Sequence, residues 1–266
     1  MPLPVSTRVV FNKNPLYSVM AEVRFPTILL IQANTPVEFQ ESVRAEFPGY
    51  SVVGPAVGSL PPDIPEQVQA IIRSSLPGIL GGLEKAHQFT TADGNWTVHL
   101  TSGSLSLTCK KYPRWEEFRR RLRSVFDPFM RIYHPPFASL VGLRYQNAIR
   151  RNVLGLASVP WAKLLKPFIA DELAADGIDE TEIINNVHRF ELNLGSVGRV
   201  QVQHGIALYK PTSERVYSID NNFTSDQRVE LSDVYTRLDA FNRYSGSLFR
   251  YCITDQLFSA LEPHDA

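Results

Sequence analysis

The chain is expected to fold as an α+β protein: two antiparallel strand clusters, each followed by an amphipathic helix, in a pseudo-duplicated order. Two patterns carry that expectation. Apolar and polar residues alternate with period two in several short runs, the mark of half-buried strands. In two longer runs, at 113–133 and from about Ser232 onward, apolar residues recur at helical spacing.

In residues 17–25, Tyr17, Val19, Ala21, Val23 and Phe25 take one face, while Ser18, Met20, Glu22 and Arg24 take the other. Pro26 follows, and 28–31 are expected to extend the sheet or form a short edge strand. Thr35, Pro36 and Glu38 then open a helix as cap, first helical residue and capping-box partner. Phe39, Val43 and Phe47 form its stripe, and Pro48-Gly49 stops it. Residues 54–65 read as a Pro/Gly-rich loop. A short helix is expected at 66–75, broken by Pro77, Gly78, Gly81 and Gly82.

Asp93-Gly94 signals a hairpin. Trp96, Val98 and Leu100 should point inward, followed after Gly103 by Leu105, Leu107 and Cys109. The helix over 113–133 carries Trp115, Phe118, Leu122, Val125 and Phe129 on one face; Pro128 is expected to kink or break it. In a strand over 140–149, Leu143 and Tyr145 oppose Arg144 and Gln146. Short helices are expected around Trp161, Leu164, Leu165 and Phe168. Strands follow from His188, turned by the run Gly195-Ser-Val-Gly198, with a third at 216–220. The closing helix bears Val234, Leu238, Phe241, Leu248 and Cys252, and Gly246 is expected to bend it or permit close packing. The expected organisation is a first α+β half over 1–150, a mixed helical connector over 151–187, and a second α+β half over 188–266. The halves either stand apart or share one sheet.

The 266 residues suffice for a sizeable core, and 27 basic against 27 acidic residues leave a net charge of +0. Such a balance carries no global footprint for nucleic acid or an anionic membrane. The two cysteines, Cys109 and Cys252, read as buried free thiols in a reducing compartment rather than a disulfide framework. The first residues lack a charged segment followed by an apolar core, and no apolar run approaches the ~20 residues that span a bilayer. A cytoplasmic protein with no membrane partner is expected.

Several runs, taken in order, carry a resemblance: Phe11-Asn-Lys-Asn-Pro-Leu16, Pro36-Val-Glu-Phe-Gln40, Asp93-Gly-Asn-Trp96, Leu105-Ser-Leu-Thr108, Tyr112-Pro-Arg-Trp115-Glu-Glu-Phe118, Gly142-Leu-Arg-Tyr-Gln-Asn147, Ile219-Asp220 and Ile253-Thr-Asp255. The chain resembles a sporadically distributed family of bacterial proteins of about this length. The resemblance covers most of the chain, most closely before residue 150. It implies no activity, cofactor or catalytic residue. A sporadic distribution implies a travelling gene, as the accessories of bacterial defence or mobile-element systems are.

No concentrated reactive cluster stands out. His87, His99, His134, His188, His204 and His264 lack metal-ligand spacing, and there is no Cys-x-x-Cys, so neither metal nor cofactor is expected. His204 falls on an apolar face and reads as a hydrogen-bonded core histidine. The glycines at 78–82 lack the Lys-Ser/Thr of a phosphate loop, and Gly195 and Gly198 read as a turn. No Gly-x-Ser-x-Gly is present. Arg119, Arg120 and Arg121, with Arg114 and Arg123, form the densest basic cluster. Glu116 and Glu117 precede Arg120 and Arg121 by four, so a solvated, partly paired helix face is favoured over a nucleic-acid patch.

The polar strand faces offer the main candidate binding residues: Glu22, Arg24, His99, Arg144 and Gln146, with Thr97, in the first half. Arg189, Glu191, Arg199, Gln201, Gln203 and Asp220 follow in the second. They carry few aromatics for base stacking. The leading expectation is a non-enzymatic binding or assembly module that recognises a protein partner or its own copy. One alternative is a small-ligand or nucleotide sensor with a cavity between helix and sheet. Another is a motif-less hydrolase or nuclease using His99 or His204 with Asp220.

Overall fold

Strands with one apolar face need a cover, and the two long amphipathic helices supply it. The computed structural model describes residues 6–53, 86–184, 186–209, 212–225 and 227–265. The expected loop at 54–65, the helix at 66–75 and its break at 77–82 lie outside the described residues.

A short strand, β1 (Val9–Phe11), precedes β2 (Leu16–Arg24), and the helices α1 (Leu29–Ala33) and α2 (Val37–Val43) follow. A meander comes next: β3 (Gly49–Val53), β4 (Ala86–Thr90), β5 (Trp96–Leu100) and β6 (Ser104–Cys109). The first long helix, α3 (Trp115–Tyr133), leads into β7 (Leu140–Ile149). Two short helices, α4 (Trp161–Leu164) and α5 (Pro167–Ala170), run into a 3₁₀ turn at Asp171–Ala174. Then come β8 (Asn186–Asn193), β9 (Arg199–Tyr209) and β10 (Glu214–Thr224). The second long helix, α6 (Val234–Cys252), is followed by α7 (Asp255–Ala260) and β11 (Pro263–Asp265).

Nine strands form one antiparallel sheet in the order β3-β4-β5-β6-β2-β7-β10-β9-β8. Strand β7 pairs with β2 on one side and β10 on the other, so the two strand clusters are continuous through it. Separately, β1 and β11 pair antiparallel, which joins the two ends of the described chain. One face of the sheet is apolar: Val19, Ala21, Val98, Leu107, Leu143, Ile219, Phe223 and Val202 are buried there. Phe118, Leu122, Val125 and Phe129 of α3 and Leu238, Phe241 and Leu248 of α6 belong to the same core cluster. Among the described residues no helix is long and apolar enough to cross a membrane.

Several local expectations are corrected. Tyr17 does not point inward: the β2–β7 register shifts between Leu16 and Ser18, and Tyr17 is 43% exposed. Its bulge position turns the ring out of the apolar row. Residues Leu29–Ala33 are helical rather than an edge strand, with Leu29 and Leu30 exposed. The α2 cap is Pro36, with no side-chain cap hydrogen bond, so the capping box on Thr35 does not form. The helix α3 runs through Pro128 to Tyr133, and His134 ends it in the left-handed region at φ 47°. Gly246 makes no close packing contact: a Cβ there would meet nothing within 4 Å. At Gly205 the opposite holds. Its φ is +148°, and a Cβ would fall 1.8 Å from the Asn186 carbonyl oxygen, so only glycine lets β8 approach β9 there.

Candidate functional site

On the polar face of the sheet the register sets side chains in rows across the strands. One row runs His99, Ser106, Glu22, Gly142, Thr224, Arg199. The next runs Thr97, Thr108, Met20, Arg144, Asn222, Gln201, Glu191. A third runs Ser18, Gln146, Asp220, Gln203, Arg189. The polar residues expected from the two halves therefore share one surface.

Their charges are engaged with one another. Arg24 donates from Nε to Glu22 Oε1 at 2.8 Å along the same strand. Arg144 grips the Asp220 carboxylate with Nε and Nη2, and Gln146 Nε2 donates to the same carboxylate at 3.3 Å. That hydrogen bonding raises the Arg144 pKa further above its usual value. His99 Nε2 lies 3.1 Å from Gln88 Oε1, and burial lowers its pKa.

Arg119, Arg120 and Arg121 sit on α3, over the other face of the sheet, and do not join this surface. Arg119 bonds Asp239 of α6. Arg120 and Arg121 both bond Glu117, and Arg121 stacks over Trp96 at 5.0 Å. Glu116 does not pair with Arg120; it takes a two-pronged hydrogen bond from Arg8 instead. All three arginines are thus paired with carboxylates of the chain itself.

The residues proposed for a hydrolase do not converge. His99 on β5 and Asp220 on β10 are separated by β6, β2 and β7, about 19 Å at ordinary strand spacing. His204 lies on the opposite face, where Nδ1 is 2.8 Å from Tyr217 Oη. Both thiols are buried, which pushes the Cys109 and Cys252 pKa values up to about 12. Deprotonated, nucleophilic sulfur is disfavoured at both.

The sequence reading assigned no residues to two further arrangements, although a cavity between helix and sheet was one of its alternatives. The first is Asp171, Glu172 and His188, whose potential ligand atoms lie within 4.8 Å of one another. Hard carboxylates with one imidazole are a donor set that divalent transition metals accept. His188 Nε2 lies 3.0 Å from Glu172 Oε1, so the three groups also satisfy one another directly.

The second is a cavity of about 530 Å³ between α6, the sheet and the N-terminal segment. One helical stripe of α6 forms a wall, since Asn242, Gly246 and Phe249, with Ser245 flanking, recur at three- and four-residue spacing. Gly246 leaves that wall hollow. Opposite stand Tyr145 and Asn147 of β7, and residues 112–115 at the start of α3 close one side. Phe11 of β1 meets Phe249 and Phe258 edge-on at 5.9 and 5.8 Å, lining another part of the cavity with aromatic surface.

Polar groups share the lining with this apolar surface. Tyr145 Oη donates to Asn242 Oδ1 at 2.8 Å. Burial, together with the neighbouring Tyr112, pushes the Tyr145 pKa well above its ordinary value. Asn147 is only 3% exposed; its Nδ2 donates to the Ile219 carbonyl at 3.1 Å, and its Oδ1 receives no donor among the described residues. The sequence did carry a signal for this site: the run Ser245-Gly-Ser247 interrupts an otherwise bulky helix face between Phe241 and Leu248.

No family model matches the chain, and no curated protein matches it.

Proposed function

We propose that the chain is a small-ligand-binding module whose site is the cavity between α6 and the sheet. The observation that carries this reading is the cavity itself. Its volume of about 530 Å³ falls inside the roughly 300–1,000 Å³ range of small-molecule sites. Its wall joins aromatic and aliphatic surface to polar groups, Tyr145, Asn147 and Asn242 among them. The hollow is built by small residues, Ser245, Gly246 and Ser247, on a helix that is otherwise bulky.

The test is thermal unfolding of the protein and its Gly246→Leu variant against a metabolite panel. A ligand at a hundredfold excess over Kd adds about 2.7 kcal/mol of stability. At least one compound should stabilise the unsubstituted protein and leave Gly246→Leu unmoved. A flat response of both proteins across the panel argues against the reading.

A second reading, protein assembly through the polar sheet face, is favoured by the continuity of that face across β2, β7 and β10. Charge reversal at Arg24 and Arg144 should then change the oligomeric state or partner capture without unfolding the protein. The mutual pairing of Glu22 with Arg24 and of Arg144 with Asp220 leaves this face less charge to offer a partner.

A further inference from the structure

Four arginines line the cavity (Arg8, Arg114, Arg243 and Arg250), and no aspartate or glutamate does among the described residues. Two of the four are neutralised from outside the cavity. Arg8 holds Glu116 at 2.6 and 2.8 Å, which keeps that carboxyl down at about 2. Arg250 bonds Asp255 and stacks over Phe258 at 4.4 Å. The side chains of Arg114 and Arg243 make no hydrogen bond or ion pair among the described residues and both are exposed, although Arg114 lies near enough to Glu116 to help lower its pKa. Set against Glu116 and Asp255, the four arginines leave a net of about two positive charges beside an apolar hollow.

The start of α3 borders the same cavity. Arg114 is its N-cap residue and provides no side-chain cap, and residues 112–115 line the cavity. Glu116 and Glu117 in the first turn offset the positive end of this 19-residue helix, so the arginines supply the field. Inside, Phe11, Phe249 and Phe258 present aromatic surface, and Asn147 adds a side-chain amide whose Nδ2 is held by the Ile219 carbonyl.

We infer that the cavity takes an amphipathic organic anion, with an apolar body against Phe11, Phe249 and Phe258 and its head group held by Arg114 and Arg243. This rests on the ligand-binding reading above. A cationic amphiphile of the same shape would meet uncompensated like charge and no carboxylate. A neutral one would gain the apolar contact without the head-group pairing. Because both arginines are exposed, each pairing is worth about 0.2–1 kcal/mol. The anion should therefore be preferred about tenfold over its neutral counterpart, rather than a thousandfold.

The experiment is calorimetric titration with three ten-carbon probes below micelle-forming concentrations: decanoate, decanol and decyltrimethylammonium. The proteins are the unsubstituted chain, Gly246→Leu and the double variant Arg114→Glu/Arg243→Glu. Decanoate should bind the unsubstituted protein about tenfold more tightly than decanol, and decyltrimethylammonium should bind worst. Gly246→Leu should abolish decanoate binding. The double reversal should weaken decanoate about tenfold or more and leave decanol unchanged. Should Gly246→Leu fail to fold, Gly246→Ala, which adds one methyl to the hollow, should still weaken decanoate measurably.

Two failures are distinguishable. If Gly246→Leu blocks all three probes but the double reversal leaves decanoate unaffected, the cavity reading stands and the anion assignment falls. If no probe binds, or decanoate still binds Gly246→Leu at full strength, both fall.

Discussion

Tyr145 on β7 reaches across the cavity wall to Asn242 on α6, donating its hydroxyl proton to Oδ1 over 2.8 Å. The two ends of this bond are not equivalent. Tyr145 is 3% exposed, whereas Asn242 is half-buried. Removing the hydroxyl with Tyr145→Phe leaves an amide that solvent or a ligand can reach, at a cost of about 0.5–1.5 kcal/mol. Removing the amide with Asn242→Leu leaves Tyr112 as the buried phenol's remaining hydrogen-bond neighbour, at a cost of about 1–3 kcal/mol. Urea denaturation of both variants checks the order. Equal or reversed costs would mean that Tyr112 takes over the hydroxyl's hydrogen bond.

The pairing between the long helices is more exposed and should be worth less than its geometry suggests. Asp239 accepts from Trp115 Nε1 at 2.8 Å and from Arg119 at 2.9 and 3.1 Å, with both charged side chains about 30% exposed. A double-mutant cycle of Arg119→Met and Asp239→Asn should give a coupling of about 1 kcal/mol, falling in high salt. The same cycle on Arg120 and Glu117, both on α3 with Arg120 more than half exposed, should give at most about 0.5 kcal/mol. A coupling for Arg120 and Glu117 as large as that across the helices would contradict the view that Arg119 contributes more by bridging α3 to α6 than Arg120 does within α3.

The α+β class and the inward rows of β5, β6 and β7 were legible because alternation needs only local sequence. The same rule placed Glu22, Arg24, His99, Arg144 and Gln146 on a polar face, where they lie. It failed at Tyr17, where a one-residue bulge reverses the side on which a side chain falls. Such a shift depends on the partner strand and leaves no trace in alternation. The pairing of β1 with β11 and the meeting of Asp171, Glu172 and His188 are contacts between distant segments, which no periodicity encodes. The cavity lay between these cases. Gly246 was visible, but whether a helical glycine marks close packing or a hollow depends on what faces it, and that is set by residues 6–16 from the other end of the chain.

His204 should make the fold acid-sensitive in a defined window. Burial first, then the neighbouring His188, lowers its pKa from 6.5 to about 4, against an opposing pull from Asp171 and Glu172. It is 4% exposed, stacked on His188 at 5.3 Å and set against Phe190 and Tyr217. Tyr217 gives its single proton to the Ile169 carbonyl, so His204 Nδ1 carries the hydrogen that reaches the phenol oxygen. Because the folded pKa is depressed, the unfolded chain binds more protons between pH 6.5 and about 4. This contribution is therefore complete above pH 6.5 and is lost as pH falls toward 4, by about 3 kcal/mol at most. The stability difference between the protein and His204→Gln, measured by urea titration from pH 8 to pH 4, should shrink across that window. A pH-independent difference would mean that His204 is not held neutral by its surroundings.

Asn221 presents the reverse of a satisfied core polar group, and its removal should strengthen the protein. It lies on β10, opposite Tyr145 of β7 and Val202 of β9, with 0% exposure. Neither its Nδ2 nor its Oδ1 has a hydrogen-bond partner among the described residues. A buried amide without partners carries a desolvation penalty of about 1–3 kcal/mol, and valine also suits a central strand better. Asn221→Val should therefore raise stability by about 1–2 kcal/mol, offset in part by the volume lost from the side chain. Asn221→Asp keeps the shape but buries a charge, and it should destabilise strongly at pH 7 and less at pH 4. Chemical denaturation of both variants at the two pH values decides the matter. If Asn221→Val weakens the protein by a kcal/mol or more, the amide is bonded in solution, and its place beside the cavity residue Tyr145 would make it a candidate for contact with the bound ligand.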